Sequence, residues 1–125
     1  MDKLSFARTL SVIQATIASG FQLSQFIDVG GMQLRGILLP ANWTSCNLSF
    51  NCSVVPSTNT PFAEFALTDT TGTLISIPAT SSTWIALLPY LTDAVPYVQL
   101  SCDATQTSSV IVNLVLEPIY QGIHG

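Results

Sequence analysis

The sequence contains little charge. Asp, Glu, Lys and Arg together make up 8% of its 125 residues, against roughly 25% in an average soluble protein. Charged side chains keep soluble monomers apart, so their scarcity favours a subunit whose surface is permanently covered by neighbours. The alternative is a β-rich monomer whose surface is made polar by Ser and Thr.

Basic residues and long apolar runs are scarce as well. Lys3, Arg8 and Arg35 are the three bases, they are scattered, and the net charge is −4. Binding phosphates takes clustered Lys and Arg, so we expect no nucleic-acid partner. No apolar run reaches the ~18–20 residues of a membrane helix, which predicts no membrane segment. Residues 1–8 lack the apolar core and cleavage site of a signal peptide, so we expect synthesis in the cytosol.

Residues that carry catalytic chemistry are nearly absent. The one histidine, His124, is second from the last residue, and neither a CxxC motif nor a histidine pair is present to bind zinc. Asp69, Asp93 and Asp103 fall in predicted turns, where Asp bonds its own backbone. A glycosidase carboxylate pair or a calcium site among them stays open, but no spacing supports either. We therefore predict no catalytic, cofactor-binding or metal-binding residues and no enzyme activity.

The three cysteines do not form a disulfide framework. Cys46 and Cys52 are six residues apart on one face of a predicted strand. At about 3.3 Å per residue they lie roughly 20 Å apart, beyond the ~7 Å limit between the Cα atoms of a disulfide. Cys102 could pair with one of them across a sheet. Cytosolic synthesis favours three free thiols instead.

The clearest pattern is a pair of apolar runs, Met32–Leu39 and Cys46–Val54. In the second run Cys, Leu, Phe, Cys and Val alternate with Asn and Ser, which predicts a strand with one face in the core and the other in solvent. The first run becomes apolar on both faces at its end, as is typical of a central strand. Pro40 ends it by removing a backbone donor.

Shorter segments with β-branched residues or alternation occur along the rest of the chain, separated by Gly, Pro, Asn and Thr. The predicted strands are Ser11–Ser19 (with a helix as the rival interpretation), Leu23–Val29, Phe62–Leu67, Thr73–Ile77, Thr83–Leu88, Tyr97–Cys102 and Val110–Glu117. The segment Pro89–Val95 is expected to form one helical turn. Eight or nine strands with such turns predict an all-β, single-domain antiparallel β-sandwich of jelly-roll type over residues 11–118. Residues 1–10 are then an amino-terminal arm and residues 119–125 a tail.

Aromatic residues offer a second functional interpretation. A sugar-binding face could be lined by Trp43, Trp84, Tyr90, Tyr97 and Tyr120. The structural interpretation is that both tryptophans cap the core, with their N–H groups bonded locally. We prefer the structural interpretation.

The order of these motifs resembles a known family. The pattern ATIASG…LS…IDVGGMQLRGILLPANWTSCNLSF, from Ala15 to Phe50, resembles small structural proteins of tailed bacteriophages. The resemblance continues in the LTDTTGT hairpin within Phe65–Ile77, in IALLP at Ile85–Pro89, in YVQLSC at Tyr97–Cys102 and in IVNLVLEP at Ile111–Pro118. It covers about four-fifths of the chain and leaves both termini out.

The resemblance implies a non-enzymatic virion component that is made in the host bacterial cytoplasm and present in many copies. A capsid decoration or cement protein is the leading expectation. A neck, tail or baseplate component, or a carbohydrate-binding module for host attachment, is the alternative. The expected partners are the major capsid protein, other virion proteins and further copies of this chain. No catalytic residues carry over from the family.

Overall fold

A computed structural model of the chain describes residues 10–30, 32–53, 64–68, 71–87 and 96–118. Its nine strands are β1 (Ser11–Ile17), β2 (Leu23–Asp28), β3 (Met32–Leu38), β4 (Cys46–Ser53), β5 (Glu64–Ala66), β6 (Ile77–Ala79), β7 (Trp84–Ala86), β8 (Tyr97–Cys102) and β9 (Val110–Pro118). None of the described residues belongs to a helix that could cross a membrane. The predicted all-β fold class is confirmed.

The strands form two antiparallel sheets. The four-stranded sheet has the order β1-β9-β3-β7, and the five-stranded sheet has the order β2-β8-β4-β5 with β6 also paired to β4. Because β5 and β6 pair with opposite ends of β4, they share one position in their sheet. Successive strands cross from sheet to sheet except along β4, β5 and β6. This strand order is that of a jelly roll.

The core lies between the two sheets and is built by period-two alternation. Leu34, Ile37, Leu114 and Leu116 of the four-stranded sheet are fully buried. The facing side chains of the five-stranded sheet are equally buried: Leu48, Phe50, Cys52, Val98 and Leu100. Apolar side chains from both sheets thus meet in one continuous cluster, and its burial is the main stabilising term of the fold.

The paired runs that dominate the sequence become β3 and β4, one in each sheet. In β4 the predicted alternation holds for most positions, with Leu48, Phe50 and Cys52 in the core and Asn47 exposed. Ser53 differs, because it was expected in solvent and is fully buried. It lies between β5 and β8, which pair with β4 on either side at this residue.

The strand predicted at Thr73–Ile77 is displaced toward the carboxyl terminus. The structure has only an isolated bridge between Thr68 and Leu74 here, and β6 begins at Ile77. Pro78 lies inside β6 and pairs with Asn47. A proline is tolerated there because β6 is an edge strand, so one side of its backbone needs no ladder donor.

A bulge interrupts β3 where it pairs with β9. Leu34 lies opposite Leu116 and Gly36 lies opposite Val115, so Arg35 is an extra residue. A bulge of this kind shifts the alternation by one position. As a result Leu34 and Ile37 both face the core, whereas Arg35, Gly36 and Leu38 face outward.

One end of the sandwich is held together by a buried glutamine. Gln106 is 0% exposed, although it lies in the loop between β8 and β9. Its side chain accepts a hydrogen bond from the Thr44 N–H at 2.8 Å and donates to the Thr44 carbonyl at 3.0 Å. Its backbone bonds Gly20 and Phe21 in the loop between β1 and β2. A single residue therefore ties three loops together.

Several predictions fall on parts of the chain that the structure does not describe. The arm up to residue 9, the tail 119–125 and the turn expected at Pro89–Val95 lie outside the described residues. The strand β9 ends at Pro118, which pairs with Met32. The strand β1 begins opposite the same end of β9, with Ser11 facing Leu116. The arm and the tail are therefore attached at the same end of the four-stranded sheet.

Candidate interaction surface

The outward side of the four-stranded sheet carries a group of apolar residues, with the polar residues Gln14, Thr16 and Asn113 among them. The register places Val12, Val115, Gly36 and Ala86 side by side in one row across all four strands. In the next row Leu38 lies between Asn113 and Trp84. We call this surface the apolar outer face, and its large side chains are those of Val12, Leu38, Trp84, Ile111 and Val115.

Exposed apolar side chains concentrate on this face. Val12 is 61% exposed and Trp84 is 52% exposed. Of the eight large apolar side chains that are exposed in the described chain, four lie on the apolar outer face, and Leu10 directly precedes β1. Single exposed apolar residues are ordinary, but a contiguous group marks a surface that contacts another molecule.

Trp84 is held on this face by a glycine. A Cβ atom added at Gly36 would lie less than 3.0 Å from three carbons of the Trp84 indole ring. The six-membered ring of the indole therefore lies directly over the Gly36 backbone, diagonally across the β3–β7 pair. Because only glycine leaves this space, the Gly36 position sets where the indole lies.

One ion pair borders the apolar outer face. The guanidinium group of Arg35 bonds the carboxylate of Glu117 on the adjacent strand β9. The Glu117 side chain is 9% exposed and that of Arg35 is 29% exposed. Pairing cancels the two charges locally, so the face carries almost no net charge.

The outward side of the five-stranded sheet is polar along β4 and β8, although β2 at its edge exposes Leu23. Its surface residues along β4 and β8 are Asn and Ser on one strand and Gln and Ser on the other: Asn47, Ser49, Asn51, Gln99 and Ser101. The Asn51 amide donates to the Gln99 side chain at 2.9 Å, and Gln99 donates to the Ser24 carbonyl at 2.8 Å. The two sides of the sandwich therefore differ sharply, and the four-stranded side is the one suited to burial.

The predicted carboxylates do not form a site in the described chain. Asp103 accepts hydrogen bonds from the Asn47 backbone N–H at 2.7 Å and from the Asn47 amide at 2.9 Å. It therefore joins the end of β8 to β4, a structural role. His124, Asp69 and Asp93 lie outside the described residues. Among the residues that are described, no three His, Cys, Asp or Glu side chains are grouped to hold a metal ion.

The described aromatic residues do not share a sugar-binding face. Trp43 is 4% exposed and donates its indole N–H to the Ala79 carbonyl at 3.3 Å. For this residue the core interpretation is confirmed. For Trp84 it is wrong, because the side chain lies on the apolar outer face over Gly36. Tyr97 belongs to β8 in the other sheet, and Tyr90 and Tyr120 are outside the described residues.

The three cysteines are free thiols in the structure. Burial raises the pKa of Cys52 to about 11 and that of Cys102 to about 12. Burial also raises the pKa of Cys46, whose thiol hydrogen-bonds that of Cys102. Since the thiolate is the reactive form, these protonated thiols are poor nucleophiles at neutral pH and act as small core residues.

The apolar outer face was not recognised from the sequence, although a signal for it is present. Leu38 and Leu39 are adjacent, and Ile111 and Val115 occupy the second face of an already apolar strand. At Leu38 and Leu39 the pattern predicts a central strand that is buried on both faces. A strand that is apolar on both faces also fits a sheet whose second face is covered by another subunit.

Comparison of the sequence with protein-family models finds no match, and comparison with curated proteins finds none either.

Proposed function

We propose that this chain is a non-enzymatic structural subunit of the virion of a tailed bacteriophage, most specifically a decoration or cement protein of the capsid. It acts by burying its apolar outer face against neighbouring subunits and so stabilises the shell. The observation that carries the proposal is the row of apolar residues across all four strands of one sheet, on the side away from the core.

The low charge of the chain supports this role. Among the charged residues that the structure describes, the two on this side of the sheet, Arg35 and Glu117, neutralise each other. A face without net charge loses little hydration when a partner covers it, and its apolar area then contributes favourably to association. A monomer would gain nothing from keeping such a face in water.

The jelly roll and the resemblance of the strand motifs support the virion as the setting. Jelly rolls build viral capsid domains, although they also build lectins, so the fold alone decides neither function. The motif order from Ala15 to Phe50 resembles structural proteins of tailed phages. A neck, tail or baseplate position would use the same apolar outer face.

Cryo-electron microscopy of the phage particle that this sequence encodes tests the proposal. We expect density for the jelly roll on the capsid shell in many symmetry-related copies. The apolar outer face should be covered by a neighbouring subunit, and the polar side of the five-stranded sheet should be in solvent. Absence of the chain from the particle would refute a virion role. Its presence only on the neck or tail would refute the capsid assignment.

A further inference from the structure

We infer that the apolar outer face of one copy binds the amino-terminal segment, residues 1–9, of a second copy. The inference rests on the proposed function, since it names one of the partners that covers the face. Its evidence is the alternation, the attachment point, the length and the charge of this segment.

The alternation of the segment continues the outward side of β1. In β1 the side chains of Ala15 and Ile17 face the core and Val12 faces outward. When the same period of two is extended toward the amino terminus, Leu4, Phe6 and Leu10 fall on the side of Val12, together with the charged residues Asp2 and Arg8. Polar residues then occupy the other side at Lys3, Ser5, Thr9 and Ser11. By this sequence pattern the large apolar residues of the segment share one side, the side that continues the outward face of β1 and not its core face.

The sequence offers no turn that would bring the segment back onto its own sheet. Residues 3–12 contain no Gly, Pro, Asn or Asp, the residues that most readily reverse a chain. Leu10, the last residue before β1, is exposed at the end of the sheet. An extended continuation leads away from the molecule, so a second copy is the occupant that we assign.

The length of the segment matches the face. Nine extended residues span up to about 30 Å. The four strands of the sheet occupy only about 14 Å from the first to the last, at roughly 4.8 Å between neighbours. One segment can therefore cross the whole row from Val12 to Ala86.

Charge also favours a copy of this chain as the partner. Residues 1–9 hold two of the three bases and one acid, a side-chain charge of +1. The remaining residues hold one base and six acids, a charge of −5. Two whole copies each carry −4 and repel at long range, but at close range the +1 segment of one copy is attracted to the −5 body of the other, which orients the docking of the segment.

The test begins with self-association of the full-length protein, measured by sedimentation velocity. We expect Leu4→Ser/Phe6→Ser to raise the dissociation constant by about tenfold or more, because it removes the apolar side of the segment. The matched control, Ser5→Asn/Ala7→Ser, changes the same number of residues on the polar side and should leave the constant unchanged. Equal effects of the two double variants, or no self-association of the wild type, would overturn the inference.

Photo-cross-linking identifies the occupant. A benzophenone amino acid replaces Phe6 in unlabelled protein, which is mixed with ¹⁵N-labelled wild type, irradiated and digested with chymotrypsin. We expect cross-linked peptides that join an unlabelled segment to a labelled peptide containing Leu38, Trp84 or Ile111. Cross-links confined to single chains, or directed to the five-stranded sheet, would overturn the inference.

Whether the chain is present in the phage particle distinguishes failure of this inference from failure of the proposed function. If the chain occupies the capsid but the segment variants self-associate like the wild type, the inference is wrong and the proposed function stands. If the chain is absent from the particle, the proposed function is wrong whatever the cross-links show.

Discussion

Gln106 stabilises the fold more than any pattern in the sequence suggests. It sits in a polar loop, Asp103–Ser109, among Thr and Ser residues that have similar local character. What sets it apart is a long-range partner, since its amide pairs with both backbone groups of Thr44 in the way that a neighbouring strand would. No local periodicity reports a contact between residues 62 positions apart, so sequence reasoning placed Gln106 in an ordinary loop.

Replacing Gln106 by leucine should therefore be costly. The substitution Gln106→Leu keeps the approximate volume but leaves the partly buried N–H and C=O of Thr44 without their partner. A fully buried unpaired backbone group costs ~1–3 kcal/mol, and these two groups keep some access to water, so we expect the free energy of unfolding to fall by about 1–3 kcal/mol in all. Urea unfolding measures the change, with the exposed neighbour Thr105→Ala as the control. Equal stability of the two variants would contradict a structural role for the amide.

At the scale of single elements, the β3–β7 pair depends on a glycine and a tryptophan that fit each other. Trp84 was predicted to cap the core, but the structure directs Ile85, which lies opposite Ile37, inward and leaves Trp84 on the outward side. A large indole on an edge strand is accommodated there because Gly36 presents no side chain to it.

A double-mutant cycle tests this fit. Gly36→Ala alone should displace the indole and lower the free energy of unfolding by about 1 kcal/mol. In a Trp84→Ala background the same substitution should be neutral or stabilising, because alanine is favoured over glycine in a strand by roughly 0.5–1 kcal/mol. Urea unfolding measures the change in the free energy of unfolding caused by Gly36→Ala in the wild-type and in the Trp84→Ala background. An equal loss in both backgrounds would show that the indole is not the group that Gly36 accommodates.

The limits of strands with strong apolar–polar alternation were predicted closely. The limits of a strand with weak alternation were not. The strand β8 has the predicted limits, and β4 departs from them only where Val54 lies outside the described residues. The displaced strand, β6, has three residues and contains Pro78. The position of β6 is set by its pairing with β4. The local β-strand preference of Thr73–Ile77 does not set it.

For the whole molecule, the sandwich was predictable from the spacing of strands and turns, whereas the interaction surface was not. Alternation separates two faces of a strand, but it does not say which surface a second apolar face will contact. That requires the strand order, which brings Val12, Val115, Gly36 and Ala86 from four distant segments into one row. The catalytic interpretation gained no support from Asp103, which is engaged by Asn47.

We propose that the apolar outer face is buried in the assembled particle. Two lysine substitutions compare this face with the other sheet at sites of nearly equal exposure. Ile111→Lys lies on the apolar outer face, where the native side chain is 49% exposed, and Leu23→Lys lies on the five-stranded sheet, where it is 47% exposed. Both sites already lie in contact with water in the isolated chain, so both variants should fold, with circular dichroism like that of the wild type. Only at position 111 would the new charge be buried by assembly, at a cost of several kcal/mol.

The measurement is the number of copies of each variant that purify with the phage particle, counted by quantitative mass spectrometry. We predict that Leu23→Lys is incorporated like the wild type and that Ile111→Lys is reduced by about tenfold or more. Full incorporation of folded Ile111→Lys would contradict the account, because the apolar outer face would then remain in water.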